Sequence, residues 1–256
     1  MFAILSPAKK LNLEAAVDGL VCTRPVLLDE ADRLATTCRN LSAENLKDLM
    51  RLSDALATLN RDRFRAYERG SEGVVGTPAA VTFAGDTYVG LGANDWSLDD
   101  HIFAQKNVGI LSGLYGLLRP LDAIQPYRLE MGTRLKTRRG NDLYQFWGER
   151  ISRRIDQVLA GHAHPVVINL ASTEYFRAVD LKSLQPRVIT PVFKEVRDGQ
   201  AKVISFMAKR ARGAMAGFLV RQRLTDPEAL KGFGWEGYRF DPGASQDARW
   251  VFTRPR

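Results

Sequence analysis

LSGLYGLLRPLDAIQPYRLEMGTRLKTRRG, residues 111–140, gathers glycine, proline, aromatic and arginine residues more densely than any other part of the chain. Gly113, Gly116 and Gly132 permit backbone conformations that a side chain would obstruct, and Pro120 and Pro126 stop a helix from running through. The stretch therefore reads as loop held by a rigid scaffold. It places Tyr115, Arg119, Gln125, Tyr127, Arg128 and Glu130 on irregular backbone, where binding residues concentrate. A purely structural alternative stays open, in which the Tyr and Arg side chains tie down loop carbonyls.

The surroundings of that stretch are basic. Residues 126–154 hold eight Lys or Arg against three acids, a net of +5, and residues 201–223 hold six bases and no acid, a net of +6. The whole chain is only +8, so the rest is slightly acidic and the basicity is local. Arg134, Lys136, Arg138 and Arg139 in the first run, and Lys209, Arg210 and Arg212 in the second, make a polyanion the natural partner.

Just before the loop, Ser97 is placed to cap a helix over 98–106, and 108–111 is an apolar run that reads as a buried strand. Just after it, Asn141 can cap a long amphipathic helix presenting Leu143, Phe146, Trp147, Ile151, Ile155, Val158 and Leu159 on one face. Next, PVVINL at 165–170 suits a central strand, and the chain turns at its exit through Ser172, Thr173, Glu174 and Tyr175. Ligands gather at strand ends in sheets with helical crossovers, so Asn169, Ser172, Glu174 and Tyr175 join a candidate pocket, with capping of the following helix as the alternative role for Ser172. Residues 2–5 predict a first strand that delivers Ser6, Pro7 and then Lys9 into a turn. The candidate pocket is thus Ser6, Lys9, Tyr115, Arg128, Glu130, Asn169, Ser172, Glu174 and Tyr175.

Elsewhere the pattern predicts a helix over 27–39, then a compact pair at 42–66 with Ser42 and Ser53 as caps. The pair is either a helix-hairpin-helix-like element or a plain corner, because its joint has Leu52 and Ser53 where a glycine would be usual. A glycine-rich connector spans 68–78, and 80–83 with 87–91 read as a strand hairpin about Gly85 and Asp86. Asp198-Gly199 predicts a hairpin between strands at 188–196 and 201–206, with Pro191 confined to an edge or a bulge. A basic helix with an apolar stripe of Met207, Ala211, Met215, Phe218 and Leu219 follows over 207–224, and strands at 233–240 and 250–252 close the chain.

The length and 45% apolar composition suit one α+β domain over 1–256. No run approaches the length of a membrane span and no signal-cleavage pattern opens the chain, so a monomer in the cytosol, with no membrane association, is expected. Cys22 and Cys38 are too few for a disulfide framework. They read as buried or idle thiols, with peroxide sensing by a thiolate near Arg24 or Arg39 as the alternative. The letters G-x-G-x-x-G at 232–237 precede a strand-like run instead of opening a helix, and the three histidines form no H-E-x-x-H pattern. No cofactor or metal is therefore expected, and no serine elbow is present.

Several longer motifs are familiar: SPAK at 6–9, LSGLYGLLRPLD at 111–122, QPYRLEMGTRL at 125–135, DLYQFWG at 142–148, NLASTEYF at 169–176 and KRARGAM at 209–215. In these the chain closely resembles the YaaA family of peroxide-stress proteins, from residue 1 to about 252. The resemblance implies a single mixed domain of unusual topology with a helix-hairpin-helix, and a positive cleft that binds double-stranded DNA. It also implies a role in limiting peroxide- and iron-dependent damage. Lys9, Arg119, Arg128 and residues 209–212 carry over as cleft candidates, and 42–65 as the hairpin pair. The competing expectation is an enzyme acting on a nucleotide or nucleic acid in a pocket at strand ends, because DNA affinity requires neither Glu130 beside Arg128 nor the Ser and Tyr after PVVINL.

Overall fold

The computed structural model describes residues 1–14, 19–70 and 74–255. Four of its strands come from the apolar runs singled out above: β1 (Phe2–Leu5), β2 (Val108–Ser112), β4 (Val166–Asn169) and β5 (Arg187–Arg197). With β3 (Gly116–Leu118), β6 (Gln200–Lys202), β7 (Arg239–Phe240) and β8 (Arg249–Pro255) they form one eight-stranded sheet, ordered β7-β8-β5-β4-β1-β2-β3, with β6 added to β5. The middle five, β8-β5-β4-β1-β2, are all parallel neighbours, with Ala3 opposite both Val108 and Ile168, and Ile168 opposite Ile189. Within this sheet antiparallel pairing is confined to β3, β6 and β7, and two small antiparallel pairs, Lys10–Leu11 with Phe83–Ala84 and Thr77–Pro78 with Ala123–Ile124, lie apart from it. The single mixed domain thus forms, but its centre is parallel rather than of segregated α+β type. Parallel neighbours need long crossovers, and the chain between β1 and β2 supplies most of the helices. Every residue of β1 and of β2 is buried, as a strand covered on both faces must be.

The helices are α1 (Leu28–Arg39), α2 (Ala43–Met50), α3 (Asp54–Ala66), α4 (Asp86–Leu91), α5 (Leu98–Asn107), α6 (Arg150–Leu159) and α7 (Ser205–Arg221), with shorter turns between them. Ser42 and Asn45 cap α2 reciprocally, Ser53 caps α3 and Ser97 caps α5. Between α2 and α3 the turn is made by Arg51 in the left-handed region at φ 54°, a conformation that glycine adopts without strain.

Several expectations need correction. The hairpin at 80–91 does not form: Ala79–Thr82 is a helical turn, only Phe83–Ala84 is extended, and α4 follows. The β-branched letters there are overridden by packing, because α4 crosses α7 at backbone contact. A β-carbon on Gly90 would lie 2.0 Å from the Arg210 carbonyl oxygen, and one on Gly213 would lie 1.7 Å from that of Thr87. The long helix at 141–159 is broken in two: Asp142, not Asn141, caps Leu143–Trp147, and Gly148 at φ 49° ends it before α6. The apolar face survives the break, with Leu143, Phe146, Trp147, Ile151, Ile155 and Leu159 all buried.

The Asp198-Gly199 hairpin is present, both residues at positive φ, but its second strand stops at Lys202 and α7 begins at Ser205. Pro191 lies within β5 just past the last residue paired with β4, so one side of the strand is already free where its missing N–H falls. Of 233–240 only Arg239–Phe240 pairs, because Phe233 and Tyr238 instead pack edge-on against Phe193. Residues 71–73 of the glycine-rich connector lie outside the described residues.

Candidate functional site

β1 and β4 are adjacent and parallel, yet the chain leaving β1 next joins the sheet at β2, on one side of it, and the chain leaving β4 joins at β5, on the other. Connections that diverge in this way open a crevice beyond the carboxyl ends of the two strands. Ser6 follows β1 and Ser172 follows β4, and they meet there. The Ser172 amide donates to Ser6 Oγ at 2.8 Å and the two hydroxyls are 3.3 Å apart. Tyr88 of α4 donates to the Ser6 carbonyl at 3.0 Å, which fixes the exit of β1.

The loop at 111–140 forms the next wall. Ser112 Oγ lies 2.6 Å from the Tyr127 hydroxyl and accepts from the Tyr115 amide at 2.9 Å, while Trp147 donates to the Gly113 carbonyl at 3.1 Å. Gly113 has to be glycine, because a β-carbon there would lie 2.2 Å from the Leu129 carbonyl oxygen. Leu129 is buried, so Arg128 and Glu130 on either side of it point the same way, as alternate residues of an extended segment do. They pair at 2.8 Å, and the other carboxylate oxygen of Glu130 holds Lys9 Nζ at 3.1 Å. Glu130 is therefore the shared counter-ion of two cations that sequence reasoning assigned to a ligand.

The crevice has a volume of about 530 Å³. Of the nine candidate pocket residues, Ser6, Lys9, Glu130, Ser172, Glu174 and Tyr175 line it. Glu174 accepts the Gly132 amide at 3.0 Å. Burial, reinforced by the Glu174 and Glu130 carboxylates, pushes the Tyr175 phenol up, so that it stays protonated and able to donate. Three candidates fall elsewhere. Arg128 stands behind Glu130, and Tyr115 is buried with its hydroxyl accepting the Gln125 amide at 3.1 Å and its pKa pushed up by burial to about 12. Asn169 faces a second cleft of about 800 Å³ on the other side of the same wall. Lys10, Asp86, Lys209 and Arg212 line the crevice without having been assigned to the pocket. The signal available for Lys209 and Arg212 was their i, i+3 spacing beside Gly213 and Gly217, a small-residue pair that sets how α7 is docked.

The basic residues divide into committed and free. Arg119 is bound to the fully buried Asp122 at 2.8 Å, Arg139 to Glu30 at 2.5 Å and Arg210 to Asp86 at 3.4 Å, besides the pairs on Glu130. Arg119, Arg128, Arg139 and Arg210 therefore hold the fold together rather than offering a bare charge. Arg134, Lys136 and Arg138 are exposed and meet no acceptor among the described residues. Thr133 and Leu135 are buried between them, so Arg134 and Lys136 share the outer face of an extended segment. Lys209 and Arg212 also lack an acceptor among the described residues, and burial pulls the Arg212 pKa down.

Neither cysteine is set up as a thiolate. Burial pushes the Cys38 thiol up to about 12 and raises that of Cys22. Arg39 donates to the carbonyls of Phe64, Arg65 and Tyr67, and Arg24 pairs with Asp29. Among the described residues no three His, Cys, Asp or Glu side chains group as metal ligands would, and no helix is long and apolar enough to cross a membrane.

The family model described as peroxide stress protein YaaA matches residues 1–244. A UPF0246 protein of Caulobacter vibrioides is 51% identical over 256 residues, covering all of both chains. A UPF0246 protein of Ruegeria pomeroyi is 51% identical over 100% of this chain and 99% of its own, and one of Teredinibacter turnerae is 43% identical over 99% of each. Identity at this level along the full length leaves one conclusion: the chain belongs to the peroxide stress protein YaaA family.

Proposed function

We propose that this protein acts in the response to peroxide by binding double-stranded DNA through its free surface cations, and so limits iron-dependent damage to that DNA. The observation behind this reading is that Arg134, Lys136 and Arg138 stand exposed on one short segment, with no acceptor among the described residues. Two residues of extended chain span about 6.8 Å, so such a row can engage successive phosphates without base contacts. A groove of about 500 Å³ lies between the end of α2 and residues 132–134, with Arg51 and Arg134 on its rim and Asp48, Glu130 and Glu174 also on its walls. In this reading the α2–α3 pair, beside the row, acts as a helix-hairpin-helix-like element whose amides and side chains add phosphate contacts.

Fluorescence anisotropy with two unrelated duplexes over a salt series tests the proposal. Affinity should fall with salt, and the joint variant Arg134→Ala, Lys136→Ala, Arg138→Ala should lose affinity for both duplexes alike. The slope should flatten by about 0.9 per phosphate contact removed. Binding that ignores salt, or a loss restricted to one duplex sequence, would reject it. A second reading, an enzyme acting on a nucleotide or nucleic acid, is favoured by the convergence of Ser6, Lys9, Glu130, Ser172, Glu174 and Tyr175 on one crevice.

A further inference from the structure

The crevice at the ends of β1 and β4 has the size of a small-molecule site and holds cations with no acceptor among the described residues. Around it, Glu130 is taken up by Lys9 and Arg128, and Asp86 by Arg210. What remains is Lys10, Lys209 and Arg212, none with an acceptor among the described residues, against the single carboxylate of Glu174. These four groups carry a surplus of two positive charges, and Lys9 and Arg128 sharing the one Glu130 carboxylate add a third. The Ser6 and Ser172 hydroxyls stand at the same place. A guanidinium that has left much of its water behind and gained no acceptor is unfavourable unless a ligand supplies one. The lowered pKa of Arg212, caused by burial alone, reports that condition.

Arg212 also lines the second cleft. The wall between the two is the chain leaving β4, whose alternate side chains serve opposite sides. Leu170, Ser172 and Glu174 face the crevice, while Asn169, Ala171 and Thr173 face the second cleft. The second cleft is apolar along Tyr144, Phe176, Val179, Leu181 and Pro191. The crevice side is thus cationic and hydroxylic, and Arg212 lines both cavities.

We propose that Arg212, with Lys209, Ser6 and Ser172, binds the phosphate of a small phosphomonoester seated in the crevice. A nucleoside monophosphate has this chemistry: its dianion is drawn by the surplus positive charge, and phosphate accepts from guanidinium and hydroxyl together. The site goes beyond the DNA surface and shares none of its free cations, since Arg134, Lys136 and Arg138 do not line the crevice.

Isothermal titration of the full chain with adenosine monophosphate, adenosine and inorganic phosphate tests this, with duplex binding measured on the same samples. Saturable binding of the monophosphate is expected, with competition from inorganic phosphate and at least tenfold weaker binding of adenosine. Arg212→Ala should weaken monophosphate binding thirtyfold or more, with Arg212→Lys intermediate. Circular dichroism and thermal melting establish that the variants fold. If Arg212→Ala does not fold, Ser172→Ala and Lys209→Ala each serve, with at least a fivefold loss expected. Absence of saturable monophosphate binding, an unchanged affinity in the folded variants, or adenosine binding as tightly as its monophosphate would overturn the proposal. Loss of duplex binding in the surface triple variant with monophosphate binding intact would separate this site from the DNA reading.

Discussion

Replacing Arg119 by alanine should unfold the protein more readily rather than strip it of a DNA contact. The Asp122 carboxylate is 0% exposed and accepts from the Thr23 hydroxyl at 2.6 Å, the Arg119 amide at 2.8 Å and the Arg119 guanidinium at 2.8 and 3.1 Å. Arg119→Ala leaves the hydroxyl and the amide but removes the compensating charge. Stripping one partner from a fully buried pair costs about 3–5 kcal/mol. The Arg119 side chain is 27% exposed and two of the bonds to Asp122 survive, so about 2–3 kcal/mol is the reasoned figure.

For a chain of this size that is a fall of about 4–12 °C in melting temperature. Adding Asp122→Asn should recover part of it, because a buried amide needs less compensation than a buried carboxylate. Where Arg119→Ala is still folded, the salt slope of duplex binding should match wild type. Arg138→Ala, an exposed and unpaired site, should instead lower that slope by about 0.9 at unchanged melting temperature. A melting shift under about 2 °C for Arg119→Ala, or no recovery with Asp122→Asn, would refute the assignment.

Two further outcomes follow from the packing and the ion pairs. Gly213→Ala must drive α7 away from α4, because its β-carbon would lie 1.7 Å from the Thr87 carbonyl oxygen, and urea unfolding should show a loss of at least about 1–3 kcal/mol. Gly161→Ala, with nothing within 4 Å, is the matched control and should leave the midpoint near wild type. Burial opposes the charge on Glu30, but Arg139, with Arg33 and Arg150, outweighs it and holds the Glu30 pKa below its ordinary value. A depressed carboxylate contributes stability above its unfolded pKa and loses it as pH falls through the folded one. Glu30→Gln should therefore lower the urea midpoint at neutral pH, and the gap to wild type should close as pH is taken down through and below the ordinary glutamate range. A gap independent of pH would show that the Glu30 charge is not the stabilising feature.

Local chemistry was legible wherever one segment decides its own conformation. Ser42, Ser53 and Ser97 cap the helices they announce, Asp198-Gly199 turns its hairpin, and the apolar runs at 2–5, 108–112 and 166–169 become the three adjacent strands at the centre of the sheet. Because ligand sites gather at strand ends, those runs also led to Ser6, Ser172, Glu174 and Tyr175. α4 was misread as a strand because its helical form depends on glycines of α7 more than a hundred residues away, which no local window contains.

The same limit governs charge. A count along the chain treats Arg119, Arg128, Arg139 and Arg210 as free, whereas Glu30 lies 109 residues from Arg139 and Asp86 lies 124 from Arg210. Ionic attraction acts through space at a few ångströms, so only the folded chain decides which cations are neutralised. Sequence alone determined that this protein is basic in two segments and forms a sheet with polar strand ends. Tertiary packing decided that Arg134, Lys136 and Arg138 are exposed to solvent, and that Arg212 is half-buried without an acceptor among the described residues.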